Sequence, residues 1–169
     1  LKAAYAYADA DKDYKNVDAI IISGDITDSG TIPAFTSYVT ATDSVLRNGT
    51  QRLAVLGRAH DTRALGADTR SIYSEITGQE ADFHRVINGY HFIGISGNGA
   101  PELHYTDEQV KWLDEQLSQA VLDAPAKPVF VFQHEHIKDT VYGSYDIDGW
   151  GMDTFSKVLA KYPQVVDIS

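Results

Sequence analysis

The 169-residue sequence predicts a mixed α/β domain. Three observations carry that expectation. Short runs of apolar, largely β-branched residues end at Gly or at a polar residue, which is how buried strands close. Helix-like stretches separate those runs, the pattern of βαβ units and a mostly parallel sheet. An Asn-Gly pair between two β-rich runs adds one antiparallel hairpin.

The elements follow in order. Residues 1–15, rich in Ala and Tyr without Pro or Gly, read as a helix, and residues 18–23 (DAIIIS) as a strand buried on both faces and stopped by Gly24. Pro33 suits a first helical turn and Gly49 the position past a last one, so the segment between them is a second helix. Residues 51–56 (QRLAVL) form a strand ending at Gly57, and a polar loop then leads to a short helix over 71–76. Residues 83–87, Asn88-Gly89 and residues 90–96 form the hairpin. Thr106 with Gln109 makes a capping box, and Val110, Leu113, Leu117, Ala120 and Val121 recur at helical spacing. A strand at 128–133 (PVFVFQ), a Gly-punctuated loop to Gly151, a helix to about Tyr162 and a strand at 165–169 (VVDIS) complete the chain. Without repeats, linkers or low-complexity tracts, residues 1–169 read as one domain.

Composition narrows the function. Fourteen Lys and Arg against 24 Asp and Glu give a formal charge of −10, with no basic cluster to displace counterions from a phosphate backbone, so duplex nucleic acid is excluded as a partner. Such a surface attracts cations instead. The absence of Cys excludes disulfides, thiolate metal sites and cysteine nucleophiles. No apolar run is long enough for a membrane span. Composition does not fix the compartment, although it is compatible with a secreted or cell-surface bacterial protein. Oligomeric state is not encoded legibly.

Open α/β sheets bind ligands beyond the carboxyl ends of their strands. The polar residues at those positions are Gly24-Asp25 with Asp28, His60-Asp61, Asn98, and His134-Glu135-His136. Carboxylates and imidazoles gathered at one rim suit a divalent transition metal.

The block Gly24-Asp25-Ile26-Thr27-Asp28-Ser29-Gly30 resembles the GDxxDxG block of the calcineurin-like metallophosphoesterases. His60-Asp61 resembles the end of that family's Gly-Asn-His-Asp block, and His134 its next histidine motif, in the family's order. The resemblance implies a layered α/β/β/α sandwich, incomplete at both ends, since the family's Asp-x-His and Gly-His-x-His blocks have no counterpart here. It implies hydrolysis of a small phosphomonoester or phosphodiester substrate through two divalent ions, Mn, Fe or Zn. Asp25 is then the bridging carboxylate, His134 a metal ligand, and His60 the imidazole serving the leaving oxygen. Asp61 orients His60, Asp28 supports the metal loop, and Gly24 and Gly30 let the backbone pass close to the ions. Ala59 stands where the family has a metal-binding Asn, which implies weak or partial metal occupancy in this chain. It also keeps open the alternative of a catalytically impaired binding or structural domain.

Other polar groups have simpler readings. Asp25 and Asp28 also suit turn formation. Asp9, Asp11 and Asp13 imitate the start of a calcium loop, but Tyr14 and Ile20 occupy its Gly and Glu positions, leaving a solvated helix face. His84, His91 and His104 read as hairpin packing, His136 and Glu135 as loop surface, and Asp146, Asp148 and Trp150 as a loop near the rim.

Overall fold

A computed structural model describes residues 1–57, 60–98, 105–141 and 153–169 of the chain. It is mixed α/β, with two sheets. In the first, β1 (Ala19–Ser23) runs parallel to β2 (Gln51–Val55), in register from Ala19 opposite Gln51 to Ser23 opposite Val55. In the second the order is β3 (Phe83–Ile87), β4 (Tyr90–Gly94), β5 (Val129–Phe132), β6 (Val165–Ile168). There β3 and β4 are antiparallel, while β4, β5 and β6 are parallel.

Local chemistry sets the boundaries. Helix α1 (Lys2–Ala10) stops short of the expected residue 15 because Asp11 Oδ1 accepts the amides of Asp13 and Tyr14, pulling the chain into a side-chain-closed turn. Helix α2 (Ile32–Asp43) starts at Thr31, whose hydroxyl accepts the Ala34 amide, with Pro33 in the first turn. It ends six residues before Gly49, and its Thr36, Thr40 and Thr42 hydroxyls donate back to carbonyls of the preceding turn. Helix α3 (Thr69–Thr77) follows one tight turn at Gly66–Asp68 and closes on Gly78 at φ +68°. The hairpin turn has Asn88 at φ +54° and Gly89 at φ +74°, the two positive angles a type I′ turn requires. Helix α4 (Asp107–Asp123) carries both reciprocal bonds of the Thr106–Gln109 capping box. The last helix is α5 (Asp153–Ala160).

Three apolar clusters alternate with the sheets. Leu53, Val55, Phe83, Ile87 and Phe132 pack between the two sheets, joined by Ile21, Phe92 and Phe130. Phe35, Leu56, Tyr73 and Ala81 lie between β2 and helices α2 and α3. Ile93, Leu113, Leu117, Val129, Val131 and Phe155 fill the space between the four-stranded sheet and α4 and α5. Each fully buried Leu contributes about 2 kcal/mol through burial, so the α4 stripe alone anchors that helix.

One expectation needs correction. Strand β1 is half-buried along its length, not enclosed on both faces, because it pairs with β2 alone. Among the described residues no helix is long and apolar enough to cross a membrane.

Candidate metal centre

The carboxyl ends of β1, β2, β4 and β5 meet at one rim. The Ile95 amide donates to the Phe132 carbonyl at 2.9 Å, extending the β4–β5 pairing, and the Gly97 amide donates to the Leu56 carbonyl at 3.2 Å, tying the two sheets together there. A Cβ on Gly24 would stand 2.7 Å from His134 Cβ, and one on Gly57 would stand 2.6 Å from the Asp25 amide nitrogen. Only glycine allows these chains to approach so closely. Gly30, expected to make room for ions, faces the Asp61 backbone instead and lets the 24–30 loop pack on the turn at residues 60–61.

Asp25 and His134 come together at this rim. His134 Nε2 lies 3.4 Å from Asp25 Oδ1, with the ring about a quarter and the carboxylate two-fifths exposed. His134 Nδ1 lies 2.8 Å from the Ser23 carbonyl, which only accepts, so Nδ1 carries the proton and Nε2 presents a lone pair when the ring is neutral. A backbone carbonyl in this position fixes the tautomer of a metal-ligating imidazole. Asp25 itself adopts φ +50°, a left-handed conformation that costs a non-Gly residue about 1 kcal/mol or more. Gly24 before it is at φ +97°. The turn therefore spends backbone energy to aim a partly exposed carboxylate at the imidazole.

Asp61 and Asp28 occupy different places from those expected. Asp61 is fully buried and accepts from the amides of Ile26 (3.2 Å), Thr27 (2.7 Å) and Gly57 (2.8 Å) and from the Thr27 hydroxyl (3.0 Å). It laces the loop after β1 to the loop after β2. The group facing His60 is instead Asp28, whose Oδ1 lies 3.5 Å from His60 Nδ1 at the exposed surface. Thr27, buried beside Asp61, also accepts the Gly30 amide. Its place in the GDxxD spacing marks it as a loop residue, but nothing in its type announces this role.

A brace supports the rim from below. Arg70 donates to both Asp82 oxygens and to the carbonyls of Ser96 and Gly97, while the Ser96 amide donates to Asp82 Oδ1. Gln109 donates to the same carboxylate and to Ser96 O. The Ser96 hydroxyl accepts the Leu56 amide at 2.8 Å. Asn98 follows directly on this braced segment. Of these partners only Gln109 lies in a motif, the capping box, which does not announce its second role, and the sequence separations hid the rest.

Among the described residues no three His, Asp or Glu side chains converge on a point that could hold a metal ion. The Asp9, Asp11 and Asp13 series forms no ion site: Asp11 closes its turn and Asp9 pairs with Arg47 at 2.6 and 2.7 Å. Arg58, Ala59, His104, Asp146, Asp148 and Trp150 lie outside the described residues. No protein-family model matches the chain, and no curated protein matches its sequence.

Proposed function

We propose that this chain forms a calcineurin-like metallophosphoesterase fold, a layered α/β/β/α sandwich, in a protein that hydrolyses phosphomonoesters or phosphodiesters with two divalent ions. The observation that carries the reading is the Asp25–His134 pair. A carboxylate oxygen and an imidazole lone pair facing each other at 3.4 Å are two electron donors, and a cation between them relieves the opposition. The alternation of helices, two sheets and helices, with the pair at the strands' carboxyl ends, supports the same assignment.

In that reading Asp25 and His134 would hold metal, with the Ser23 carbonyl fixing the ring. Divalent ions held there would supply Lewis-acid activation of a water and charge neutralisation at a phosphoryl group. The remaining work falls to the chain. Asp61 keeps the two loops in register, and His60, with Nδ1 towards Asp28, offers Nε2 to protonate a leaving oxygen.

A second reading, a phosphoesterase-like scaffold that binds or supports without catalysis, is favoured by Asp61. Its carboxylate is committed to loop amides and the Thr27 hydroxyl, so it does not orient His60 as an acid–base partner.

Calorimetric titration with Mn²⁺, followed by assay of aryl-phosphate hydrolysis, separates the two. The enzyme reading expects weak binding that Asp25→Asn removes and turnover that the same change abolishes. Binding without turnover supports the scaffold, and no Mn²⁺ binding sensitive to Asp25 or His134 overturns the metal centre itself.

A further inference from the structure

A second histidine cluster lies away from the rim. His84 on β3 and His91 on β4 project towards α4 and line a cavity of about 600 Å³ with Gln116, Gln119, Leu122 and Asp123. Three contacts run through it in series. His84 Nδ1 lies 2.8 Å from Gln116 Oε1, His84 Nε2 lies 2.8 Å from His91 Nδ1, and His91 Nε2 lies 3.0 Å from Asp123 Oδ2.

The geometry is that of a hydrogen bond between the rings. Their centroids are 5.0 Å apart, close to the 2.8 Å contact plus the half-width of each ring, so the two nitrogens face nearly along one line. Ligands of one ion would converge on a point off that line.

Proton positions follow from the partners. The Asp123 carboxylate accepts, so His91 Nε2 carries hydrogen. Gln116 Oε1 accepts, so His84 Nδ1 carries hydrogen. The two inner nitrogens then need one proton between them, and the pair bears one positive charge opposite Asp123. When that proton leaves, turning the Gln116 amide to present its NH₂ restores three satisfied bonds: Gln116 to His84, His84 to His91, His91 to Asp123. A second added proton has no such arrangement, because both inner nitrogens would then be donors.

We propose that His84, His91 and Gln116 form a single-proton latch between the β3–β4 hairpin and α4, which accepts one proton, refuses a second, and so loosens the hairpin's hold on α4 as the surroundings acidify. The charged and titratable groups around it are Arg85 on β3 and Asp123 on α4; on β5 the residue beside His91 is the apolar Val129. Burial chiefly pushes the His84 imidazole below its ordinary value; the Gln116 bond is the next effect and opposes it, the charges of His91 and Arg85 add to the lowering, and Asp123 opposes it least. His91 is 3% exposed, so water does not screen a second charge.

The test is the proton count. Long-range ¹H–¹⁵N spectra of the labelled chain from pH 9 to 5 are expected to show one proton taken up by the two rings together. The unfolded chain takes up two over the same range, so below the ordinary His value of about 6.5 the folding equilibrium is expected to lose up to tenfold per pH unit from this pair. His84→Gln is expected to remove that contribution in urea titrations. Should His84→Gln fail to fold, Gln116→Glu, whose carboxylate accepts from His84 Nδ1 and cannot turn to donate, is expected to make the pair hold its single proton to higher pH. Uptake of two protons by the wild-type rings, or of none, overturns the latch, as does an unchanged spectrum in Gln116→Glu.

Discussion

His134 Nε2 faces Asp25 Oδ1 across 3.4 Å while its Nδ1 is tied to the Ser23 carbonyl at the end of the strand that Asp25 follows. The end of β1 and the turn after it thus supply both the atom that orients the imidazole and the carboxylate, although His134 is 109 residues beyond Asp25 along the chain. Replacing either donor removes half of the pair without touching a core residue. His134→Ala and Asp25→Asn are each expected to weaken Mn²⁺ binding by at least about tenfold, read by calorimetry, with urea midpoints close to that of the parent chain.

Asp61 is the more costly residue to lose. Asp61→Ala leaves the Ile26, Thr27 and Gly57 amides without their acceptor in a buried place, where each unsatisfied group costs about 1–3 kcal/mol. A loss of about 3 kcal/mol or more in denaturant unfolding is expected, with Asp61→Asn intermediate because one acceptor oxygen remains. An Asp61→Ala chain as stable as the parent would remove its role in lacing the loops.

Gly57→Ala tests the close approach. The added methyl would stand 2.6 Å from the Asp25 amide nitrogen and 3.1 Å from His134 Cδ2. Overpacking of this kind costs about 1–3 kcal/mol, and the variant is expected to lose Mn²⁺ binding by displacing Asp25. Gly66→Ala is the control for positive φ alone: Gly66 is at φ +54°, but a Cβ there meets nothing within 4 Å. It is expected to leave ion binding unchanged.

Asp167 on β6 gives a pH signature of its own. Burial pushes its carboxyl above the ordinary value, partly offset by the bond from Gln133 Nε2 at 2.9 Å. A folded-state value above the unfolded one means that the folded chain binds the proton more tightly. This contribution to stability is therefore full below about pH 4 and is lost as pH rises through the folded value. Asp167→Asn removes the titration, so urea midpoints are expected to rise near pH 7 relative to the parent and to show less loss on leaving acid pH.

Much of the fold was legible because it is locally encoded. The Asn88-Gly89 turn, the Thr106–Gln109 capping box and the α4 stripe each depend on residues a few positions apart, and each stands where the pattern put it. The end of α1 was missed because Asp11 competes for the backbone through its side chain, which apolar periodicity does not register. At the rim, Asp25 and His134 were legible as polar residues directly after strands. The exchange of partners between Asp61 and Asp28 was not: the order of residues in a motif does not say which carboxylate turns inward. Exposure decides it here, with Asp61 fully buried and the Asp28 side chain 94% exposed.

The bond from the Gly97 amide to the Leu56 carbonyl has a mechanical consequence. It stitches the sheets at their carboxyl ends through main-chain atoms, reinforced by Ser96 Oγ, whereas near the hairpin turn the described hydrogen bond across them is the exposed side-chain contact from Asn88 to Asp18. The two sheets are joined like a book, with the spine at the rim and the pages held near the turn by an exposed side-chain contact. The far edge is expected to open more readily than the spine, with amide exchange slower at Gly97 than at the residues flanking Asn88.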